Sequence, residues 1–158
     1  MGDTFSIQRV SYGANLEPIQ AIRRQVFQVE QGVPPELEFD EYDEAATHFL
    51  AYQGGEAIGT ARIRYLTTEP DTEHSDPIAK IERVAVLAKY RQNGIGKQLM
   101  QIAIAHLQRQ GIASIKINAQ LQVQSFYERL GFSTRGDVFE EAGIPHIEMW
   151  YESLPPNV

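Results

Sequence analysis

Residues 81–100 read IERVAVLAKYRQNGIGKQLM, an apolar run that stops at a basic, glycine-containing turn and resumes with helical spacing. The run predicts a buried strand. The segment from Gly94 to Gly111 predicts a helix with Leu99, Ile102, Ala103 and His106 on one face. At the start of such a helix the first amides have no intrahelical partner and the macrodipole is positive, so the place suits an anion, phosphate above all. Gly94 and Gly96 remove side chains that would hold a phosphate away, and Arg91 adds a cation able to grip a diphosphate with two hydrogen bonds. Gln92, Asn93, Ile95 and Lys97 complete the turn. A tight turn alone would also explain the glycines, so the surrounding pattern has to decide. The dinucleotide fingerprint is excluded because its third small residue falls on Leu99. The P-loop is excluded because its first glycine and its Ser/Thr fall on Arg91 and Gln98.

Outward from this stretch the chain alternates elements without internal repeats. FSIQRV (5–10) is a strand, and residues 16–32 predict a helix burying Ile19, Ile22, Val26 and Val29 and stopping at Gly32. A proline-led acidic connection follows. Residues 47–66 form a hairpin about Gly54-Gly55, and TTEPDTEHSDP (67–77) is a polar loop. After the central helix come a strand at SIKINAQ (114–120), a short helix at VQSFYERLG closed by Gly131, and a last strand at HIEMWYE. The expected class is mixed α/β with an antiparallel front and a strand-helix-strand crossover behind.

A chain of 158 residues, 42% hydrophobic, suits a single domain over 1–158. With no cysteine, a disulfide framework, a thiolate metal site and a cysteine nucleophile are excluded, and His48, His74, His106 and His146 lack zinc-motif spacing, so no metal is expected. The net charge of -7 is concentrated in residues 1–80, where fourteen acids face six bases. That half would repel a phosphate backbone, so nucleic acid is not an expected partner. No apolar run reaches the length of a membrane span, and MGDTFSIQRV lacks the order of a signal peptide, so the expectation is a cytoplasmic protein without membrane attachment.

VAVLAKYRQNGIGKQLM fits Gln/Arg-x-x-Gly-x-Gly/Ala after a strand, and SFYERLGF has a tyrosine four residues before Gly-Phe. Together they resemble the two signatures of the GCN5-related N-acetyltransferase (GNAT) superfamily, at the family spacing. VFQVEQGVPPELEFDEYD and FEEAGIPHIEMW resemble its small ElaA-like branch. The resemblance implies a central mixed sheet flanked by helices, with the fourth and fifth strands splayed at a β-bulge so that free strand amides bind pantetheine. It places Val84, Ala85 and Val86 there, with one amide facing the thioester carbonyl. The remaining implied cofactor contacts are Arg91 to Lys97 and Gln120, which stands where the family often has asparagine.

The same resemblance implies an acetyl-CoA-dependent N-acetyltransferase that passes the acetyl group directly to a primary amine in a ternary complex. A non-catalytic CoA-binding sensor or interaction module is the alternative. Tyr127 takes the general-acid position, protonating or hydrogen-bonding the departing thiolate, while a core aromatic is its structural reading. Glu82 matches a position where some members carry the base, and pairing with Arg83 or simple solvation is its structural reading. Glu30, Glu141 and His146 are further base or acceptor-site candidates. Glu36 to Glu44 holds six carboxylates in nine residues, a solvated loop or, near the acceptor, an attraction for a cationic amine. The acceptor is expected to be a small-molecule or peptide amine, and a homodimer is compatible with the family.

Overall fold

The computed structural model describes residues 4–66 and 77–152; the acidic polar loop expected over 67–77 lies almost entirely outside them. Strand β1 (Ser6–Val10) leads into helix α1 (Leu16–Arg23), a π-helical segment (Arg24–Glu30) and the short α2 (Pro35–Glu38). Then come β2 (Thr47–Gln53), β3 (Glu56–Leu66), β4 (Ile78–Val86), α3 (Ile95–Arg109), β5 (Ser114–Gln120), α4 (Gln124–Arg129), β6 (Ser133–Glu141) and β7 (Ile144–Glu152). The seven strands form one mixed sheet in the order β1-β2-β3-β4-β5-β7-β6, with β4 and β5 parallel and the other pairs antiparallel. The mixed α/β class and the splayed fourth and fifth strands are as expected from sequence.

Each face of the sheet carries helix. On one side Leu99, Met100, Ala103 and Leu107 of α3 join Ala61, Ile63, Ile81, Ile115 and Met149 in the main core. On the other, Ile19 and Ile22 of α1 and Val26 pack with Leu50 and Ala85. Burying each large aliphatic side chain contributes ~2 kcal/mol, enough for the two layers to fix α1 and α3 to the sheet. Gly59 lets α3 approach closely: a Cβ there would lie 3.2 Å from Leu99 Cδ1 and 3.3 Å from the Ala85 carbonyl oxygen. The β2-β3 turn uses Gly54 (φ 58°) and Gly55 (φ 81°), a left-handed pair that matches strand twist.

Two readings are corrected. Val29 is 65% exposed, although α-helical spacing puts it on the buried face. The chain passes into π-helix at Arg24, and the wider turn rotates later side chains out of the α-helical stripe. Strand β6 was not anticipated. It is an edge strand with eight of nine residues exposed, so it lacks an apolar alternation, and its pairing with β7 slips between Arg135 and Phe139.

Candidate active site

The backbone of β4 builds the site. In its pairing with β3, Thr60 faces Ala85 and Arg62 faces Glu82, so Ala61 opposes both Arg83 and Val84. This β-bulge holds Arg83 at φ 54°, a left-handed conformation that costs a non-glycine residue about 1 kcal/mol or more. Toward β5, only Ile78 to Lys80 are paired, with Ser114 to Lys116. Beyond Lys80 the strands part, which opens the β5-facing edge of β4 through Val84 and Val86. A cleft of ≈ 940 Å³ occupies the gap, walled by the π-helical segment, the loop after it, the start of α3, α4 and the β6-β7 turn.

Fourteen of the sequence-nominated residues line this cleft. They are Glu82, Val84, Ala85, Val86, Arg91, Gln92, Gly94, Ile95, Gly96, Lys97, Gln120, Tyr127, Glu141 and His146. Asn93 and Glu30 do not. Asn93 Nδ2 donates back to the Tyr90 carbonyl (3.2 Å) and braces the turn. Glu30 forms a two-pronged pair with Arg91, Nη2 to Oε1 at 3.0 Å and Nη1 to Oε2 at 2.9 Å. It belongs to the basic turn, placed there by the same π-helical segment that turned Val29 outward.

At the head of α3, Gly94 is left-handed (φ 79°), and the first helical bond runs from the Gln98 amide to the Gly94 carbonyl (3.0 Å). The amides of Ile95, Gly96 and Lys97 therefore have no intrahelical acceptor. The protein itself does not need glycine at 96: the residue has no positive φ, and a Cβ would meet only Phe126 Cζ at 3.8 Å and Val86 Cγ2 at 3.9 Å. An open approach to three unpaired amides beside Arg91 and Lys97 fits a diphosphate. Val84 and Val86 continue the same wall, so the residues present suit coenzyme A.

Tyr127 stands edge-on to Phe126 (5.0 Å) and Phe132 (6.0 Å), and the Phe132 amide donates to its carbonyl (3.1 Å). Burial pushes its phenol up to about 12, so the hydroxyl stays protonated far above neutrality. Gln120 reaches across the cleft, its Nε2 donating to Gln31 Oε1 (2.9 Å) and its Oε1 accepting from Gln122 Nε2 (3.0 Å). It thereby ties β5 to the end of the π-helical segment.

Glu82 is held by three cations: Arg62 at 2.7 Å, Arg64 at 2.8 Å and Lys80 at 3.3 Å. Burial alone would raise its proton affinity, but the charges of Arg62, Lys80 and Arg64 outweigh it and leave the carboxyl below its ordinary value. Glu82 is inside the cleft, as its nomination requires, but it is a weakened proton acceptor. His146 donates from Nδ1 to the Ile144 carbonyl (2.7 Å), since a carbonyl can only accept, and its Nε2 lies 3.6 Å from Glu141 Oε2. Asn118 Nδ2 reaches the other oxygen of Glu141 (3.4 Å). Asn118, Arg64 and Lys80 also line the cleft. The period-2 alternation of β3, β4 and β5 was their signal, since it puts each on the face opposite α3.

Three of the six carboxylates of the acidic loop are paired with arginines from elsewhere in the fold. Arg23 binds Glu38 and Asp43 (2.6 Å), and Arg62 binds Asp40 (2.7 Å) and Asp43 (2.8 Å). Arg83 holds the loop backbone through the Glu38 carbonyl (3.1 Å). Glu38 and Asp43 are buried, so neither is a solvated charge or a free attractor of cations. Burial pushes Asp40 up, but its hydrogen bond to Arg62, the charge of Arg62, the Tyr42 amide and Arg83 together hold it down at about 2. Because its folded value lies below the ordinary 3.8, Asp40 adds stability above about pH 4 that is lost as pH falls toward 2. The melting temperature should drop through that window. Asp40→Asn should lower it at pH 7 and flatten the drop, as followed by circular dichroism.

The acetyltransferase (GNAT) domain family matches residues 8–153. The uncharacterized N-acetyltransferase YjcF of Bacillus subtilis is 33% identical over 129 residues, covering 81% of this chain and 86% of that one. ElaA of Escherichia coli is 32% identical over 143 residues, with coverage of 89% and 90%. The crystal structure of E. coli ElaA superposes with a TM-score of 0.78 at 28% identity over 94% of this chain and 100% of its own. An acyl-CoA N-acyltransferase from Pseudomonas aeruginosa gives 0.75 at 26% identity over 95% and 99%. The chain belongs to the GNAT family of N-acetyltransferases. Among the described residues, no helix is long and apolar enough to cross a membrane.

Proposed function

We propose that the protein transfers an acetyl group from acetyl-CoA directly to a primary amine on a small acceptor, within a ternary complex. The observation that carries this reading is the joining of three features in one cleft: the open edge of β4, the unpaired amides of α3 and the Tyr127 phenol. Acetyl-CoA supplies an acetyl group activated as a thioester. Its diphosphate is assigned to the amides of Ile95 to Lys97 with Arg91 and Lys97, and its pantetheine arm to the edge of Val84 to Val86.

His146, whose Nδ1–H is held by the Ile144 carbonyl and whose Nε2 faces Glu141, is assigned to take the proton from the acceptor ammonium. The neutral amine then forms a C–N bond to the acetyl carbon while the C–S bond breaks. The second amine proton, made acidic as the amide forms, passes to the departing sulfur, which leaves as the thiol, and His146 returns the first proton to solvent. Tyr127 donates a hydrogen bond to that sulfur. With the phenol near 12 and an ordinary thiol near 8.5, full proton transfer would be uphill, so its contribution is charge stabilisation. Glu82 serves as a charged anchor for Arg62, Arg64 and Lys80. A role limited to CoA binding has less support, because a phenol donor and a His-Glu pair line the cleft beyond the diphosphate site.

The test is consumption of acetyl-CoA over a panel of amines, with the acetylated product identified by mass. No turnover with any amine, together with no calorimetric binding of CoA, would sink the reading.

A further inference from the structure

One rung of the sheet carries three cations. Arg64 of β3 is registered against Lys80 of β4, and Lys80 against Lys116 of β5. Adjacent strands lie about 4.8 Å apart, and like charges directly opposite one another destabilise a sheet. Lys116 is balanced by Glu148 (3.1 Å). Arg64 and Lys80 are not balanced: each has Glu82 as its carboxylate, and Glu82 is also shared with Arg62. Among the described residues, the connected ion pairs contain five cations (Arg23, Arg62, Arg64, Lys80 and Arg83) against four carboxylates (Glu38, Asp40, Asp43 and Glu82).

The surplus falls at Arg64 and Lys80, and both line the cleft where β4 and β5 part. Arg64 lies 2.8 Å from Glu82 through Nε, yet outside hydrogen-bonding geometry, so this buried donor has no hydrogen bond. Its guanidinium is held in place over the Tyr42 ring at 3.9 Å. A cation pair that is short of one negative charge among the described residues faces a cleft whose β6-β7 wall offers Glu141 and His146.

We infer that Arg64 and Lys80 form the subsite for a carboxylate on the acceptor, so that the acceptor is an amino acid rather than a polyamine. The carboxylate rests on the Arg64-Lys80 pair, and the ammonium faces Glu141 and His146. The single surplus charge matches a carboxylate better than a phosphate dianion. This assignment rests on the acetyltransferase reading above and reverses the cationic acceptor that the acidic N-terminal half suggests.

The probes are the standard amino acids, each paired with its carboxamide, together with γ-aminobutyrate, spermidine and phosphoethanolamine, given to the full chain with acetyl-CoA. At least one amino acid should be acetylated with kcat/KM on the order of tenfold above its carboxamide, the usual scale for one charge-assisted hydrogen bond. Lys80→Met should raise KM for that amino acid by a similar factor, leave KM for acetyl-CoA unchanged, and leave the melting temperature level or higher, since the rung loses a repulsion. Equal use of acid and carboxamide, or preference for spermidine or phosphoethanolamine, overturns the subsite. So does a Lys80→Met variant that melts lower with the acceptor KM unchanged, because the lysine is then only structural. If nothing is acetylated, calorimetry on the CoA-saturated protein decides: amino acid binding that Lys80→Met abolishes supports the subsite, and none refutes it. Failure of CoA itself to bind would instead strike the acetyltransferase reading.

Discussion

Gly96→Asp is expected to weaken coenzyme A binding on the order of 100-fold while the protein stays folded. The fold has no stake in the glycine. Its φ is not positive, a Cβ at 96 makes ordinary contacts at 3.8 and 3.9 Å, and an acidic residue in the first turn of α3 favours the helix dipole. Whatever is lost is therefore lost from the ligand. The new carboxylate would occupy the space over the amides of Ile95 to Lys97, engage the Arg91 and Lys97 charges, and repel a diphosphate. Gly96→Ala adds bulk without charge and should fall between the variant and wild type. Calorimetry, with circular dichroism as the control for folding, checks the series. An affinity within about threefold of wild type for Gly96→Asp, less than one ordinary hydrogen bond, would remove the diphosphate from this helix.

Tyr127→Phe is expected to lower kcat on the order of 10²-fold with the melting temperature and the KM for acetyl-CoA little changed. The ring is fixed by Phe126 and Phe132, and phenylalanine keeps those contacts. The phenol oxygen has no hydrogen bond to another described residue, so its removal orphans no protein group. What disappears is a hydroxyl donor from the lining of the cleft. With the phenol near 12, wild-type activity should show no loss from Tyr127 ionisation up to about pH 10. Thiol release under conditions where chemistry limits the rate measures the effect. An unchanged kcat assigns sulfur stabilisation to solvent or another group. A collapse in acetyl-CoA affinity makes the tyrosine a positioning residue.

The legibility of the sequence followed its local physics. The turn from Arg91 to Lys97 announced itself because a helix N-terminus, two glycines and an arginine act together within seven residues. Ser114–Gln120 matched its expected strand because alternation is strong where one face packs against α3. Val29 failed for a reason no apolar pattern carries: the winding changes from α to π at Arg24. Strand β6 failed because an exposed edge needs no apolar side chains, and its partner β7 supplies the pairing.

By itself, the sequence determined the family and the mixed sheet, and it nominated the turn from Arg91 to Lys97 and the candidate donor Tyr127 from residues close together in the chain. Only the tertiary structure decided what the charges mean. Six carboxylates in a loop read as solvated or as bait for a cation, yet Arg23, Arg62 and Arg83 arrive from α1, β3 and β4 to bind three of them. Lys80, unremarkable in the sequence, lies in one rung with Arg64 and Lys116 only because three strands meet in that register. Electrostatic character depends on pairs brought together across the fold, and a buried charge takes its chemistry from whichever partner the packing supplies.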